Sequence, residues 1–214
     1  MALFQRQPTE ISQKLPYSLS LSLNTKTILV VGLGNPGKQY ELTRHNIGFR
    51  ALDHFAKSSG FDDFQDKPKF KGLVTEKNLA QSKIILLKPT TFMNDSGQAV
   101  QQVANFYKII SSDIVCVYDE LSIPFGQIRM RVGGESAGHN GVKSIIQTIG
   151  PNFGRVRIGI NNDLVKKQTD ADFVLSKFTT NEQTQLEALT KEVSVILTEF
   201  IYSGQLPHDT IKIT

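Results

Sequence analysis

Apolar runs a few residues long alternate with helical stripes along most of this sequence. Thr27 to Leu33 is a β-branched and apolar run ended by Gly34-Asn35-Pro36-Gly37, the pattern of a buried strand followed by turn chemistry. Ile47, Ala51, Leu52, Phe55 and Ala56 then recur at helical spacing up to Gly60, a helix stop. Phe70 to Lys77 and Ile84 to Lys88 read as strands, the second closed by Pro89. A helix over 95–108 would carry Ala99, Val100, Val103, Ala104 and Tyr107 on one face. Ile114 to Tyr118 is another buried strand and Gln127 to Val132 a more alternating one, after which the glycine-rich loop Gly133 to Gly138 leads into a helix from Asn140 to Ile149. Val156 to Ile160 is a further strand, whereas Asp172 to Leu175 is too short to assign. Thr180-Asn181-Glu182-Gln183 has the spacing of a capping box and opens a long helix through Leu186, Leu189, Val193, Ile196, Phe200 and Ile201 to Gly204. Strands alternating with helices predict one α/β layered sheet.

Composition narrows this picture. With 214 residues, 39% of them hydrophobic, the chain is sized for one well-filled core, expected over 27–214. Residues 1–26 are polar, carry Pro8 and Pro16 and lack periodicity, so a flexible or loosely docked extension is expected there. Arg6 and Lys14 against Glu10 give it a faint likeness to an organellar leader, and targeting by this segment stays open beside a cytoplasmic location. No run reaches membrane length, so a soluble protein is expected. The lone Cys116 sits inside an apolar run and reads as core in a reducing compartment. The net charge of +4 is modest, but it is concentrated: between 125 and 169 there are seven basic residues (Arg129, Arg131, Lys143, Arg155, Arg157, Lys166, Lys167) against Glu135 and Asp163. Charge alone fits a phosphate-facing surface or an ordinary solvated face equally well.

Gly32-Leu33-Gly34-Asn35-Pro36-Gly37 satisfies the dinucleotide-binding pattern after a strand. That fold needs a helix to start at the loop and an acid about 20 residues on at the end of a second strand. Here Tyr40 to Arg44 intervene, and the nearest acid, Asp53, falls inside the predicted helix, so a nicotinamide enzyme is disfavoured. Sorting polar residues onto loops after strands is more productive. Asn35, Asn94, Asp119, His139 and Asn140 all follow strands or end the glycine-rich loop, and His45 lies in Thr43-Arg44-His45-Asn46 at the start of the first helix. A histidine whose second nitrogen is held by a carboxylate can take a proton from water, and carboxamides can hold that water or an oxyanion. Each residue also has an ordinary structural reading: backbone bonding for His45, turn or cap positions for Asn35 and Asn140, and a cap before Ile123-Pro124 for Asp119. There is no serine elbow, and four histidines with one cysteine show no zinc spacing, so water attack without metal or cofactor is expected.

Several blocks carry a resemblance. Val31-Gly32-Leu33-Gly34-Asn35-Pro36-Gly37 with Tyr40, Thr43-Arg44-His45-Asn46-Ile47-Gly48, Lys88-Pro89-Thr90-Thr91-Phe92-Met93-Asn94-Asp95-Ser96-Gly97, Asp119-Glu120-Leu121, Gly138-His139-Asn140-Gly141 and Arg155-Val156-Arg157-Ile158-Gly159-Ile160 resemble, in order, the blocks of bacterial-type peptidyl-tRNA hydrolases from about Thr27 to Ser203. The resemblance implies a twisted mixed β-sheet surrounded by α-helices, and a cytoplasmic monomer that cleaves the ester between peptide and tRNA, with the acceptor stem and CCA end of peptidyl-tRNA as its partner. It implies His45 as base, Asp119 as its companion and Asn94 as stabiliser of the intermediate. Asn35 and Asn140 would bind peptide and water, Tyr40 and Met93 would shape the crevice, and His139 would flank it. Arg129, Arg131, Lys143 and Arg157 fall where the family places basic contacts to tRNA. Three features depart from the pattern: Ala137 in the glycine-rich loop, Asn161-Asn162-Asp163 after the last strand, and the extension over 1–26. A non-catalytic RNA-binding relative of the intron-splicing type is the second class, and the presence of His45, Asp119 and all three asparagines weighs against it.

Overall fold

The computed structural model describes residues 26–213. In chain order the strands are β1 (Lys26–Gly32), β2 (Gln65–Lys67), β3 (Gly72–Leu79), β4 (Ser82–Pro89), β5 (Ile114–Pro124), β6 (Gln127–Val132), β7 (Gly154–Asn161) and β8 (Thr210–Lys212). The helices are α1 (Ile47–Ser58), α2 (Ser96–Tyr107), α3 (Asn140–Ile149), α4 (Asp170–Leu175) and α5 (Thr180–Ser203). The strands form one sheet in the order β2-β3-β4-β1-β5-β7-β6-β8. Its centre, β4-β1-β5-β7, is parallel, and β3 and β6 flank it antiparallel. The chain is therefore the α/β fold with a mixed sheet that the alternation of elements predicts.

Successive side chains of a strand point to opposite faces, and here both faces are covered. Ile28, Val30, Val115 and Val117 pack toward α1 and α5, while Leu29, Val31, Ile114 and Cys116 pack toward α2 and α3. The middles of β1 and β4 and the first half of β5 are apolar without a break for that reason, which makes them conspicuous in the sequence. Their C-terminal ends gather at one edge, the place where such sheets build sites. Among the described residues no helix is long and apolar enough to cross a membrane.

Five elements differ from expectation. β5 does not stop at Tyr118 but continues through Asp119 and Glu120 to Pro124, with a register shift between Glu120 and Pro124. Asp119 is thus a buried strand residue, not the cap of the following turn. α4, unassigned from sequence, forms because Thr169 caps it through the Asp172 N–H. α5 is capped one residue earlier than expected, by Thr179, whose hydroxyl accepts from Glu182 N–H while the Glu182 carboxylate accepts from Thr179 N–H. The edge strands β2 and β8 are each three residues long and have no apolar run to announce them. The extension expected over 1–26 lies outside the described residues except for Lys26, which opens β1 and pairs with Asp113 at 2.7 Å.

Candidate active site

The glycines that mimic a dinucleotide motif have a packing reason. A Cβ on Gly32 would lie 2.6 Å from the carbonyl oxygen of Gly48, and one on Gly48 would lie 2.4 Å from that of Val117. Their bareness lets the start of α1 press onto β1 and β5. The loop leads not into a helix but into the short 3-10 turn Lys38–Tyr40, so no helix N-terminus faces it. A second 3-10 turn, Arg44–Asn46, carries His45. It is fastened on both sides. The fully buried Arg44 donates two bonds to the Glu182 carboxylate, at 2.8 and 2.6 Å, and stacks on Phe173 and Phe178. Asn46 accepts from Asn35 N–H and donates to Asn35 C=O, both at 2.9 Å.

Held this way, His45 presents Nδ1 to both carboxylate oxygens of Asp119, at 2.9 and 3.0 Å. A ring nitrogen facing two carboxylate oxygens carries the proton, which leaves Nε2 as the free base. His139 reaches the same carboxylate from the other side, with Nε2 3.1 Å from Oδ1. Burial alone would push the His45 imidazole down, but the charge of Asp119 and its hydrogen bond outweigh this and hold it above the ordinary histidine value. Burial likewise disfavours ionised Asp119, yet His45 and His139 hold its carboxyl well below the usual carboxylate range. Among the described residues, His45, Asp119 and His139 are the cluster whose potential metal-ligating atoms lie within 4.8 Å of one another. Those atoms are already joined through hydrogen bonds, an arrangement suited to moving a proton.

A recess of about 270 Å³ opens beside this trio, lined also by Glu120, Ala137, Asn140, Asp170 and Val174. The structure thus brings His45, Asp119, His139 and Asn140 together. Asn35 borders a neighbouring groove of about 500 Å³ with Pro36, Asn46 and Thr90. Its Oδ1 accepts from Met93 N–H at 2.9 Å, so it ties the loop after β1 to the loop after β4. Met93 is buried, and Tyr40 meets the exposed Phe92 edge-on at 6.5 Å. Asn94 is exposed, bonds only to Asp95 at 3.3 Å, and is not among the residues lining the recess. Sequence reasoning passed over Glu120, Asp170 and Val174 as recess residues, and over the Arg44–Glu182 pair. The signals present were an acid beside Asp119 and an arginine beside His45.

On β6 and β7 the arginines share one face. Arg129 and Arg157 are register partners, as are Arg131 and Arg155. Arg155 does not belong to the free charge counted from sequence: it is 1% exposed and donates to the carbonyls of Glu135 (2.7 Å) and Gly134, bracing the glycine-rich loop. Arg157 lies 3.9 Å from Glu120. Burial first, and then the charges of Arg131 and Arg129, pull its guanidinium below the ordinary value against Tyr118 and Glu120. Lys143 stands exposed on the first turn of α3. The departing Asn161-Asn162-Asp163 segment has partners of its own. Asn161 donates to Leu121 C=O, and Asn162 both caps the turn Asp163–Lys167 and donates to Glu182.

The fold and site together define an α/β protein with a buried, hydrogen-bonded histidine–aspartate pair beside a recess at the edge of its sheet. The family model described as peptidyl-tRNA hydrolase matches residues 29–212, and the chain belongs to that family. The peptidyl-tRNA hydrolase of Lactobacillus gasseri is 44% identical over 174 residues, covering 81% of this chain and 92% of that one. That of Clostridium perfringens is 43% identical over 175 residues, covering 81% and 90%. The crystal structure of peptidyl-tRNA hydrolase from Acinetobacter baumannii superposes with a TM-score of 0.77 at 37% identity, covering 83% of this chain and 90% of that one.

Proposed function

We propose that the chain hydrolyses the ester between a peptide and the 3′ end of tRNA, as the names of its relatives indicate for them. The observation that carries this reading is the free Nε2 of His45, fixed by Asp119 at the edge of a recess that Asn140 also lines. In the proposed reaction His45 Nε2 takes a proton from water while the water oxygen bonds to the ester carbonyl carbon. The carbonyl becomes an oxyanion, for which Asn94 on the neighbouring loop is the proposed donor. Collapse breaks the bond to the 3′ oxygen, and His45 returns its proton to that leaving group. Asn140 positions the water, Asn35 binds the peptide backbone, and Tyr40, Met93 and His139 bound the crevice. Arg129, Arg131, Lys143 and Arg157 hold the phosphates of the acceptor stem and CCA end. The reaction so written uses neither metal nor cofactor and needs only a cytoplasmic monomer.

The test is release of peptide from N-acetyl-aminoacyl-tRNA by purified protein in the presence of a chelator, compared with His45→Ala. Release that depends on His45 is expected. Full activity of His45→Ala would remove the base assignment, and an inactive wild-type protein that still binds tRNA would establish the RNA-binding relative instead.

A further inference from the structure

We infer that His139 is a positioning residue: the first turn of α3 fixes its tautomer, and through that tautomer it orients Asp119 and divides the carboxylate's charge before it reaches His45. This rests on the hydrolase reading for its importance in turnover, but not for its physical content.

His139 is the N-cap of α3, with extended backbone (φ −72, ψ 111), and its Nδ1 accepts a hydrogen bond from Val142 N–H at 3.3 Å. A nitrogen that accepts a hydrogen bond bears no proton, so the neutral ring carries its hydrogen on Nε2. That nitrogen lies 3.1 Å from Asp119 Oδ1. Oδ1 therefore receives two donors, His139 Nε2–H and His45 Nδ1–H, while Oδ2 receives His45 alone. The carboxylate is fixed from two sides. Its charge is shared between two imidazoles, so it raises the basicity of His45 less than an undivided carboxylate would.

The cap is set on a firm base. Val142 and Ile145 of α3 are fully buried. A Cβ on Gly141 would fall 3.2 Å from His139 Cε1 and 2.5 Å from Met93 Sδ, so the glycine after Asn140 makes room for the ring. From β5, Tyr118 meets the His139 ring edge-on at 4.8 Å. The charged and titratable groups facing the ring are Asp119 and Tyr118 from β5 and His45 from its turn, with Glu120 and Asp170 on the walls of the same recess. As a cap alone, the histidine would be a poor choice, since Ser, Asp or Asn is preferred at that position. Its second nitrogen gives it a use that those residues lack.

Two substitutions separate the ring's two nitrogens. His139→Asn keeps an acceptor near Nδ1 but removes the donor to Asp119, and His139→Gln keeps a donor near Nε2 but loses the cap. Imidazole ¹⁵N spectra of the wild-type protein at pH 8 should show a protonated Nε2 and an unprotonated Nδ1 for His139. The His45 titration midpoint, followed by NMR, should rise by roughly half a pH unit or more in His139→Asn and stay in place in His139→Gln. The acid limb of the kcat/KM profile should move with it. A proton on Nδ1 of His139, an unmoved His45 midpoint in His139→Asn, or equal shifts in both variants would overturn the inference. The spectra need no turnover, so an inactive protein with the expected tautomer and shift would sink the hydrolase proposal and leave this one standing.

Discussion

The recess around His45 and the arginine face beside it draw on adjoining strands, β5 for the first and β6 with β7 for the second, and they treat polar atoms in opposite ways. In the recess, Asp119 satisfies both histidines, and in the neighbouring groove Asn35 and Asn46 close a mutual clamp. On the arginine face, Arg129, Arg155 and Arg157 each bury an Nε with no protein partner. Buried donors normally find acceptors, and each one left without costs about 1–3 kcal/mol. The His45, Asp119 and His139 side chains are thus already paired with one another, as the proposed general-base chemistry requires. On the proposed reading, the arginine face is the region where tRNA phosphates supply further acceptors. Under the proposed function, rate would depend on the first region and affinity on the second.

The largest effects belong to the recess. His45→Ala should lower kcat by about 10²- to 10⁴-fold with little change in KM or in salt dependence. In the wild-type protein activity should fall as pH drops through a midpoint above the ordinary histidine value, because the raised imidazole must lose its proton to act. Asp119→Asn reverses the sign: burial then acts without the compensating carboxylate, and the acid limb should move below that ordinary value. A limb that stays in place in Asp119→Asn would break the link between the pair and the rate.

Next comes the support under the recess. Removing one member of a buried ion pair strands the other, at a cost of about 3–5 kcal/mol. Arg44 and Glu182 are 0% and 7% exposed at their side chains. Glu182→Ala should therefore lower stability by that amount in urea unfolding and loosen the turn carrying His45. Unfolding at the wild-type midpoint would show that Asn46 alone holds this turn.

Arg157→Gln addresses the other side of the comparison. If this face takes phosphate, the variant should weaken tRNA binding roughly tenfold, reduce the salt slope by about one and leave kcat near wild type. A loss in kcat with an unchanged slope would place Arg157 with the recess, to which its neighbour Glu120 belongs.

Much of this comparison was legible in the sequence, for identifiable reasons. The parallel centre shows because both faces are buried, so Val30-Val31 and Ile114 to Tyr118 are apolar without a break. The convergence of His45, Asp119, His139 and Asn140 follows from sorting residues onto strand ends. Less visible was whatever depends on a long-range partner. Arg155 reads as surface charge until the carbonyls of Gly134 and Glu135 are found around it. Arg44 and Glu182 lie 138 residues apart, and nothing local in either pairs them. Asp119 looked like a turn residue because polar letters inside a strand resemble its end.

The smallest effect is expected where the two regions meet, in the loop that Arg155 braces and that walls the recess. Gly133, Gly134 and Gly138 have φ of 70, 93 and 84, and Ala137 joins them at φ 49. An alanine in the left-handed region strains against its own Cβ by about 1 kcal/mol, an expense glycine avoids although it brings greater freedom to the unfolded chain. Ala137→Gly should therefore raise the unfolding free energy measured in urea by several tenths of a kcal/mol up to about 1, with the acid limb and salt slope unchanged. Destabilisation would mean that the loop tolerates Ala137 without strain. A shifted acid limb would mean that this wall of the recess communicates with His45, and the division between a finished recess and an open arginine face would have to be redrawn through the loop itself.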